Sequence, residues 1–216
     1  MPVYLEENKR PDSVEKSDER RKVLLIGDSI RKGYCQTVKD KLSDIADVRF
    51  PDDNCRFTQY TYVSLGKWRW IFEKPEEVDV VLWNNGHWDA AHWDNDDESL
   101  NSPEIYAEMT KRIEKRLRQY FPKAKLIFAT TTPRNTAVSG PNPRSNEEIE
   151  LFNRAALGVI GDDVLVDDHN LFCHELGEDI YADYCHLTPE GFKKLGLHVA
   201  ETIRKILDSN LLFVNQ

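Results

Sequence analysis

The chain has 216 residues, with 29 lysines and arginines against 38 aspartates and glutamates, giving a formal net charge of −9. This acidic balance argues against a protein that binds nucleic acid through its phosphate backbone, because such proteins present a basic surface. The longest aliphatic run, residues 23–26, is far shorter than the ~18–20 apolar residues that cross a bilayer, so we expect no transmembrane helix.

The N-terminal segment is highly charged. Residues 1–22 contain six acidic and six basic side chains and almost no apolar periodicity. We therefore predict a tail over residues 1–21 and a single domain over 22–216. The segment lacks the apolar core of a secretory signal, which favours a cytoplasmic protein. Four cysteines lie far apart without a C-x-x-C pair, so we expect reduced thiols.

After the tail, strand-like and helix-like stretches alternate. Short, mostly apolar runs predict strands over 22–26, 48–50, 78–83, 126–130 and 164–166, and such runs are typical of parallel strands buried on both faces. Apolar residues at three- and four-residue spacing predict helices over 30–45, 58–72, 103–120, 146–160 and 189–207. Strict alternation predicts a three-layer α/β/α sandwich, with ligands at the carboxyl ends of the strands.

The first predicted strand ends in Gly27-Asp28-Ser29, and a helix begins at once. A serine at a helix start lies beside free backbone N–H groups and the positive end of the helix dipole, which suits a nucleophile, although serine is also a common N-cap. Arg31 stands where a Gly-x-Ser-x-Gly elbow requires glycine. Phosphate-binding glycine patterns cannot be written over this segment either.

A nucleophilic serine needs a base, and the base needs an orienting carboxylate. Asp183 and His186 lie three residues apart in the loop before the last predicted helix, where Thr188 and Pro189 are typical of a helix start. At that separation the carboxylate can reach one ring nitrogen, leaving the other for Ser29. Taken alone, such a pair is more often a local hydrogen bond.

Together, Gly-Asp-Ser after the first strand and Asp-x-x-His before the last helix resemble the SGNH (GDSL-type) hydrolase family over roughly residues 22–208. The resemblance implies a flavodoxin-like sheet of strand order 2-1-3-4-5. It also implies that Ser29 is the nucleophile and an oxyanion donor through its N–H, and that Asp183 and His186 complete the triad.

The resemblance further implies an oxyanion-hole asparagine after the third strand. The stretch Asn84-Asn85-Gly86 looks like a variant subgroup with Asn-x-Gly ahead of an aspartate, which favours Asn84 as the donor with Asn85 as the alternative. The family's loop after strand two normally supplies a glycine N–H, but residues 51–58 contain no glycine. We expect the N–H of Cys55 or Arg56 to take its place, because Gly66 falls inside a predicted helix.

Several other residues near the strand ends are weaker candidates. Substrate contacts are expected from Asp28, His87, Trp88 and Arg134, with the loop up to Ser145 as a partial lid. Zinc at His87 and His92 lacks a third ligand at a recognisable spacing, and the acidic run 94–98 lacks the pattern of a calcium loop. We therefore predict no metal and no cofactor.

These features favour a serine esterase acting on a small ester, plausibly an acetyl group on a carbohydrate. The alternative is a non-catalytic α/β module that holds a glycan or another small ligand, because the second and third blocks depart from the family pattern. A metal-dependent phosphoesterase is a distant third hypothesis. The sequence does not indicate an oligomeric state.

Overall fold

The computed structural model describes residues 20–213, and side chains as far as residue 209. Five parallel strands form one sheet in the order β2-β1-β3-β4-β5, which confirms the predicted fold class and strand order. The strands are β1 (Arg21–Ile26), β2 (Ala46–Arg49), β3 (Val80–Trp83), β4 (Lys125–Ala129) and β5 (Leu165–Asp167).

Six α-helices flank the sheet: α1 (Ser29–Lys41), α2 (Thr58–Trp68), α3 (Pro103–Tyr120), α4 (Asn146–Leu157), α5 (His169–Leu176) and α6 (Pro189–Phe213). Among the described helices, none combines the length and the apolar composition needed to cross a membrane. The four cysteines are buried and unpaired, as expected.

The sheet is buried on both faces because successive strand residues enter different cores. In β1, Val23 and Leu25 pack with residues of α1, α5 and α6, whereas Leu24 and Ile26 pack with residues of α2, α3 and α4. All four side chains are fully buried. This alternation explains why the strands read as continuous apolar runs in the sequence.

Most helix and strand boundaries differ from the predicted ones by a few residues. The predicted helix over 58–72 ends earlier, at Trp68, and passes into a 3₁₀ turn; the last helix extends further, to Phe213. Helix α5 was not predicted at all, because its eight residues are too few to show a period and its start is marked only by Asp168, whose side chain accepts from the N–H of Leu171.

The tail boundary also needs a correction. Arg21, placed in the predicted tail, is the first residue of β1, pairs with Ala46 in the sheet and binds Asp79 at 2.9 Å. Residues 1–19 of the predicted tail lie outside the described residues.

The end of β5 carries a buried carboxylate that joins three elements. Asp167 lies 3.1 Å from Nε2 of His169 in α5 and 2.7 Å from Nε2 of His198 in α6. Burial opposes ionisation of Asp167, but the hydrogen bonds from the two histidines outweigh it and lower the pKa of the carboxyl. The bond to Asp167 raises the pKa of His198.

We expect Asp167→Asn to lower the free energy of unfolding by about 1–3 kcal/mol, because a buried charge-assisted pair is lost. A carboxyl with a lowered pKa stabilises the fold above its unfolded pKa of ~3.9, and a histidine with a raised pKa does so fully below ~6.5. The difference between parent and variant should therefore be largest between about pH 4 and 6.5, and should shrink on either side.

Urea unfolding at an acidic, an intermediate and an alkaline pH tests this expectation. Asp44→Asn is the matched control, because Asp44 pairs with Arg204 at an exposed position where water screens the charges. A destabilisation by Asp167→Asn that did not vary with pH would contradict the assignment of these ion pairs.

Candidate active site

The turn between β1 and α1 places Ser29 at the first position of the helix. Asp28 is the N-cap, and its Oδ1 accepts from the N–H of Ile30 at 2.9 Å. A side chain at Gly27 would place its Cβ 2.7 Å from Cβ of Arg31 and 3.0 Å from Oδ1 of Asn84, so only glycine fits there. The N–H of Ser29 has no acceptor within the described part of the chain, as expected for the first turn of a helix.

Ser29, His186 and Asp183 form a continuous chain of hydrogen bonds. Nε2 of His186 lies 2.8 Å from Oγ of Ser29, although 157 residues separate them in sequence. Nδ1 of the same ring lies 2.9 Å from Oδ2 of Asp183. The other carboxylate oxygen of Asp183 accepts the backbone N–H groups of Cys185 and His186, at 2.8 and 2.7 Å. These bonds fix both the carboxylate and the ring.

His186 and Asp183, which form the hydrogen-bonded chain with Ser29, each shift the pKa of the other. The sulfur of Cys185, 3.6 Å from Nδ1, and the carboxylate of Asp183 outweigh partial burial and raise the pKa of His186 to about 9. Burial acts against the ionised form of Asp183, but the two backbone N–H groups and His186 lower the pKa of that carboxyl. In neutral His186 the ring proton is on Nδ1, and Nε2 can accept the proton of Ser29.

The structure distinguishes the two asparagines after β3. Nδ2 of Asn85 donates to the carbonyl of Arg56 and to Oγ1 of Thr61, both at 2.9 Å. Both protons of that amide are therefore used, and Asn85 holds the loop after β2 in place. Asn84 is buried and its Oδ1 has no partner among the described residues. Its Nδ2 has no acceptor there either, although Asn84 is not one of the residues that line the cavity beside Ser29.

The expected N–H donors in the loop after β2 are already engaged. The N–H of Cys55 donates to the carbonyl of Gly27 at 3.2 Å, and the N–H of Arg56 donates to Oδ1 of Asn54 at 2.9 Å. In this conformation neither is free for an oxyanion, which corrects the expectation from sequence. Gly66 lies inside α2, as predicted.

Asn54 is the residue of this loop that sequence reasoning missed. It lines the cavity beside Ser29, and neither its backbone N–H nor its Nδ2 has an acceptor in the described ranges. In the sequence, only its position in the loop after β2 pointed to Asn54. The other polar residues of that loop looked equally suitable as hydrogen-bond donors.

Arg31 is buried and holds two loops together. Its guanidinium donates to the carbonyls of Gly27, Pro51 and Asp53. These three carbonyls belong to the turn after β1 and the loop after β2. Arg31 is thus a positioning residue behind the serine.

A cavity of about 220 Å³ opens beside Ser29 and His186. Its remaining lining residues are Asn54, His87, Trp88, Ala91, Trp93, Asn142, Arg144, Tyr184 and Cys185. Of the predicted substrate contacts, His87 and Trp88 line the cavity, and the ring of Trp88 lies 4.9 Å from that of Trp93.

The other two predicted contacts do not line this cavity. Asp28 is the buried cap beneath Ser29, and burial raises its pKa. The guanidinium of Arg134 donates to the carbonyls of Asn135, Val138 and Arg144 and so braces the long loop after β4. Asn142 and Arg144 of that same loop reach the cavity instead, and sequence reasoning had singled out neither.

The two histidines considered for zinc have separate partners. The ring of His87 contacts Thr132 and Arg144, whereas that of His92 contacts the carbonyl of Asp96 and Glu148. Among the described residues, the one group whose ligand atoms could share a metal is Asp183, Cys185 and His186, within 4.8 Å of one another. That group coincides with the hydrogen-bonded chain ending at Ser29.

Several solved structures share this fold. A lipase/acylhydrolase from Enterococcus faecalis superposes with a TM-score of 0.66 at 21% identity, covering 86% of this chain and 96% of that one. A carbohydrate esterase family 3 protein from Talaromyces cellulolyticus gives 0.60 at 16% identity, covering 87% and 99%. A lipolytic G-D-S-L family protein from Veillonella parvula gives 0.53 at 16%, covering 84% and 97%.

No protein-family model and no curated protein matches the sequence. The structural likeness confirms the predicted resemblance to GDSL-type hydrolases at the level of the fold.

The charge coupling in the chain can be tested by titration. We expect the ring of His186 to titrate with a midpoint well above 6.5 and close to 9, and Asp183→Asn to lower that midpoint because an amide does not stabilise an imidazolium. Chemical shifts of the histidine Cε1 protons measured against pH give the midpoint, and the spectrum of His186→Gln identifies the resonance.

Asp163→Asn serves as the control, because Asp163 is an exposed partner of Arg118 and does not contact His186. A midpoint of His186 at or below 6.5 in the parent protein would contradict the expectation that its neighbours stabilise the imidazolium.

Proposed function

We propose that this protein is a serine-dependent hydrolase of small carboxylic esters that works through an acyl-enzyme. The observation that carries the proposal is the chain Ser29–His186–Asp183, with heavy-atom distances of 2.8 and 2.9 Å. The fold supports ester hydrolysis in general, since the similar structures include lipases, an acylhydrolase and a carbohydrate esterase. An acetyl or other small acyl ester on a carbohydrate is the substrate class we propose.

In the proposed reaction, Oγ of Ser29 attacks the ester carbonyl while Nε2 of His186 takes its proton, which requires the neutral ring, the minor form below a pKa of about 9. The carboxylate of Asp183 holds the ring in the correct tautomer and stabilises the cation that forms. The tetrahedral intermediate collapses, and His186 returns the proton to the departing alcohol. Water then attacks the acyl-enzyme in the same way, releasing the carboxylic acid and restoring Ser29.

The negative oxygen of the tetrahedral intermediate needs donors that are already in place. We propose the N–H of Ser29 and Nδ2 of Asn84, both of which lack acceptors among the described residues. Asn54 is the third donor in this proposal, replacing the glycine N–H that the loop after β2 does not provide. The positive end of the α1 dipole favours the same charge.

The nucleophile can be tested directly. We expect Ser29→Ala to lose ~10⁴-fold or more in kcat/KM on an aryl acetate, and to lose labelling by a fluorophosphonate probe, because both depend on the activated hydroxyl. Ser43→Ala, at an exposed position after α1, is the matched control and should react like the parent.

A Ser29→Ala variant that hydrolysed the ester like the parent would overturn the assignment. A parent protein that neither hydrolyses esters nor reacts with the probe would favour the binding module. The engaged N–H groups of Cys55 and Arg56 are the observation in favour of that alternative.

The two asparagines after β3 should respond differently to substitution. We expect Asn84→Ala to lower kcat by ~10²–10³-fold with little change in Tm, because it removes an oxyanion donor. Asn85→Ala should mainly lower Tm, because it releases the carbonyl of Arg56 and the hydroxyl of Thr61. Steady-state kinetics and thermal unfolding of both variants decide the matter; equal effects of the two on kcat and Tm would contradict the division of roles.

A further inference from the structure

Arg144 is a buried cation without a carboxylate partner. It lies in the loop between β4 and α4, and 6% of its surface is exposed. Some arginines of the described chain pair with carboxylates, as Arg118 does with Glu114 and Asp163, whereas the buried Arg31 is compensated by three backbone carbonyls. Burying a charge is costly unless another charge or strong hydrogen bonds compensate, so an unpaired guanidinium here requires an explanation.

The partners of Arg144 hold its guanidinium in place without neutralising it. Nε donates to Nδ1 of His87 at 3.1 Å, and Nη1 donates to the carbonyl of Asn142 at 3.0 Å. The guanidinium carbon lies 5.4 Å from the ring centre of Tyr184. These contacts use two of the five N–H groups of an arginine, and the hydroxyl of Tyr184 also interacts with the guanidinium.

His87 stays neutral beside this charge. Burial and the nearby Arg144 lower its pKa well below the usual value. Its Nε2 lies 2.9 Å from Oγ1 of Thr132, so Nε2 carries the ring proton and Nδ1 accepts from Arg144. The pair therefore carries one full positive charge rather than none.

Arg144 lines the cavity beside Ser29, and it also lines a neighbouring pocket whose walls include Asp96 and Glu148. His87, Tyr184 and His186 also line the cavity beside Ser29, and no aspartate or glutamate is among the lining residues of that cavity. The cavity thus presents a positive side chain within a protein whose net charge is −9. Such a cavity favours an anionic ligand over a neutral or cationic one.

We propose that Arg144 binds a carboxylate of the ester substrate, so that the preferred substrates are small esters that bear a negative charge near the ester group. The inference rests on the proposed esterase function. An arginine fork matches a carboxylate with two parallel hydrogen bonds. The cavity of about 220 Å³ suits a small ligand, and in this proposal the rings of Trp88 and Trp93 contact its uncharged part.

Two substrate pairs test the proposal, one with the charge on the alcohol side and one on the acyl side. The first is phenyl acetate against 4-acetoxybenzoate, and the second is methyl butyrate against monomethyl succinate. We expect the parent to prefer the charged member of one pair by ~10–100-fold in kcat/KM. Arg144→Gln should abolish this preference, and Arg144→Lys, which keeps the charge without the fork, should retain part of it.

Arg154→Gln is the matched control, because it removes the same charge from an exposed position of α4. It should keep the preference of the parent. A parent that hydrolyses both members of each pair equally would overturn the inference, as would an Arg144→Gln variant that keeps the preference.

A binding measurement separates this inference from the proposed function. We expect 4-acetoxybenzoate to bind the Ser29→Ala variant in calorimetry, and to bind the Ser29→Ala, Arg144→Gln double variant ~10–100-fold more weakly. Binding that depends on Arg144 in a protein that hydrolyses no ester would support the anion site and reject the esterase. Hydrolysis without any dependence on Arg144 would do the reverse.

Discussion

The buried guanidinium of Arg31 is the interaction on which the geometry at Ser29 depends. It donates to carbonyls in the turn after β1 and in the loop after β2, and so fixes the two segments relative to each other. Without it, the carbonyls of Gly27, Pro51 and Asp53 would lose a charged donor in a region closed to water. The cost of burying the charge is offset because carbonyl dipoles converge on it.

Further buried polar contacts extend this brace to the loop after β3. Asn85 ties that loop to Arg56, and Asp89 accepts from the N–H and hydroxyl of Thr58 and from Asn101. Burial raises the pKa of Asp89 to about 6, and one of its oxygens has no partner among the described residues. These contacts join the loop after β2 to the loop after β3, and a preorganised site needs such fixed loops.

The parts of the site that were predictable depend on topology. Parallel strands end at one edge of the sheet, so a serine after β1 and a histidine before the last helix meet there whatever their separation in sequence. The short spacing of Asp183 and His186 allowed the second hydrogen bond to be predicted too. The strands were predictable because successive residues, such as Leu24 and Leu25, enter apolar cores on opposite faces of the sheet.

The predictions about the site that were wrong concern the partners of individual hydrogen bonds. The sequence cannot show that Asn85 and not Asn84 is tied to Arg56, or that the N–H of Cys55 is bound to Gly27, because each choice depends on loop conformation. Arg134 and Arg144 lie in the same loop and have the same chemistry. The guanidinium of Arg134 donates to backbone carbonyls, whereas that of Arg144 donates to neutral His87. Only three-dimensional packing decides this difference.

In the proposed function, two negative groups bind to different residues around Ser29. One is the oxyanion that forms during the reaction, and the other is the carboxylate of the substrate. The oxyanion of the proposed reaction meets neutral donors, namely the N–H of Ser29 and the amide of Asn84, with the α1 dipole behind them. The full charge of Arg144 is thereby left for recognition. Neutral His87 keeps that charge available, because a carboxylate in its place would pair with Arg144 and close the site to an anion. In the proposed function, a single buried histidine thus separates binding of the substrate's charge from stabilisation of the charge that forms during reaction.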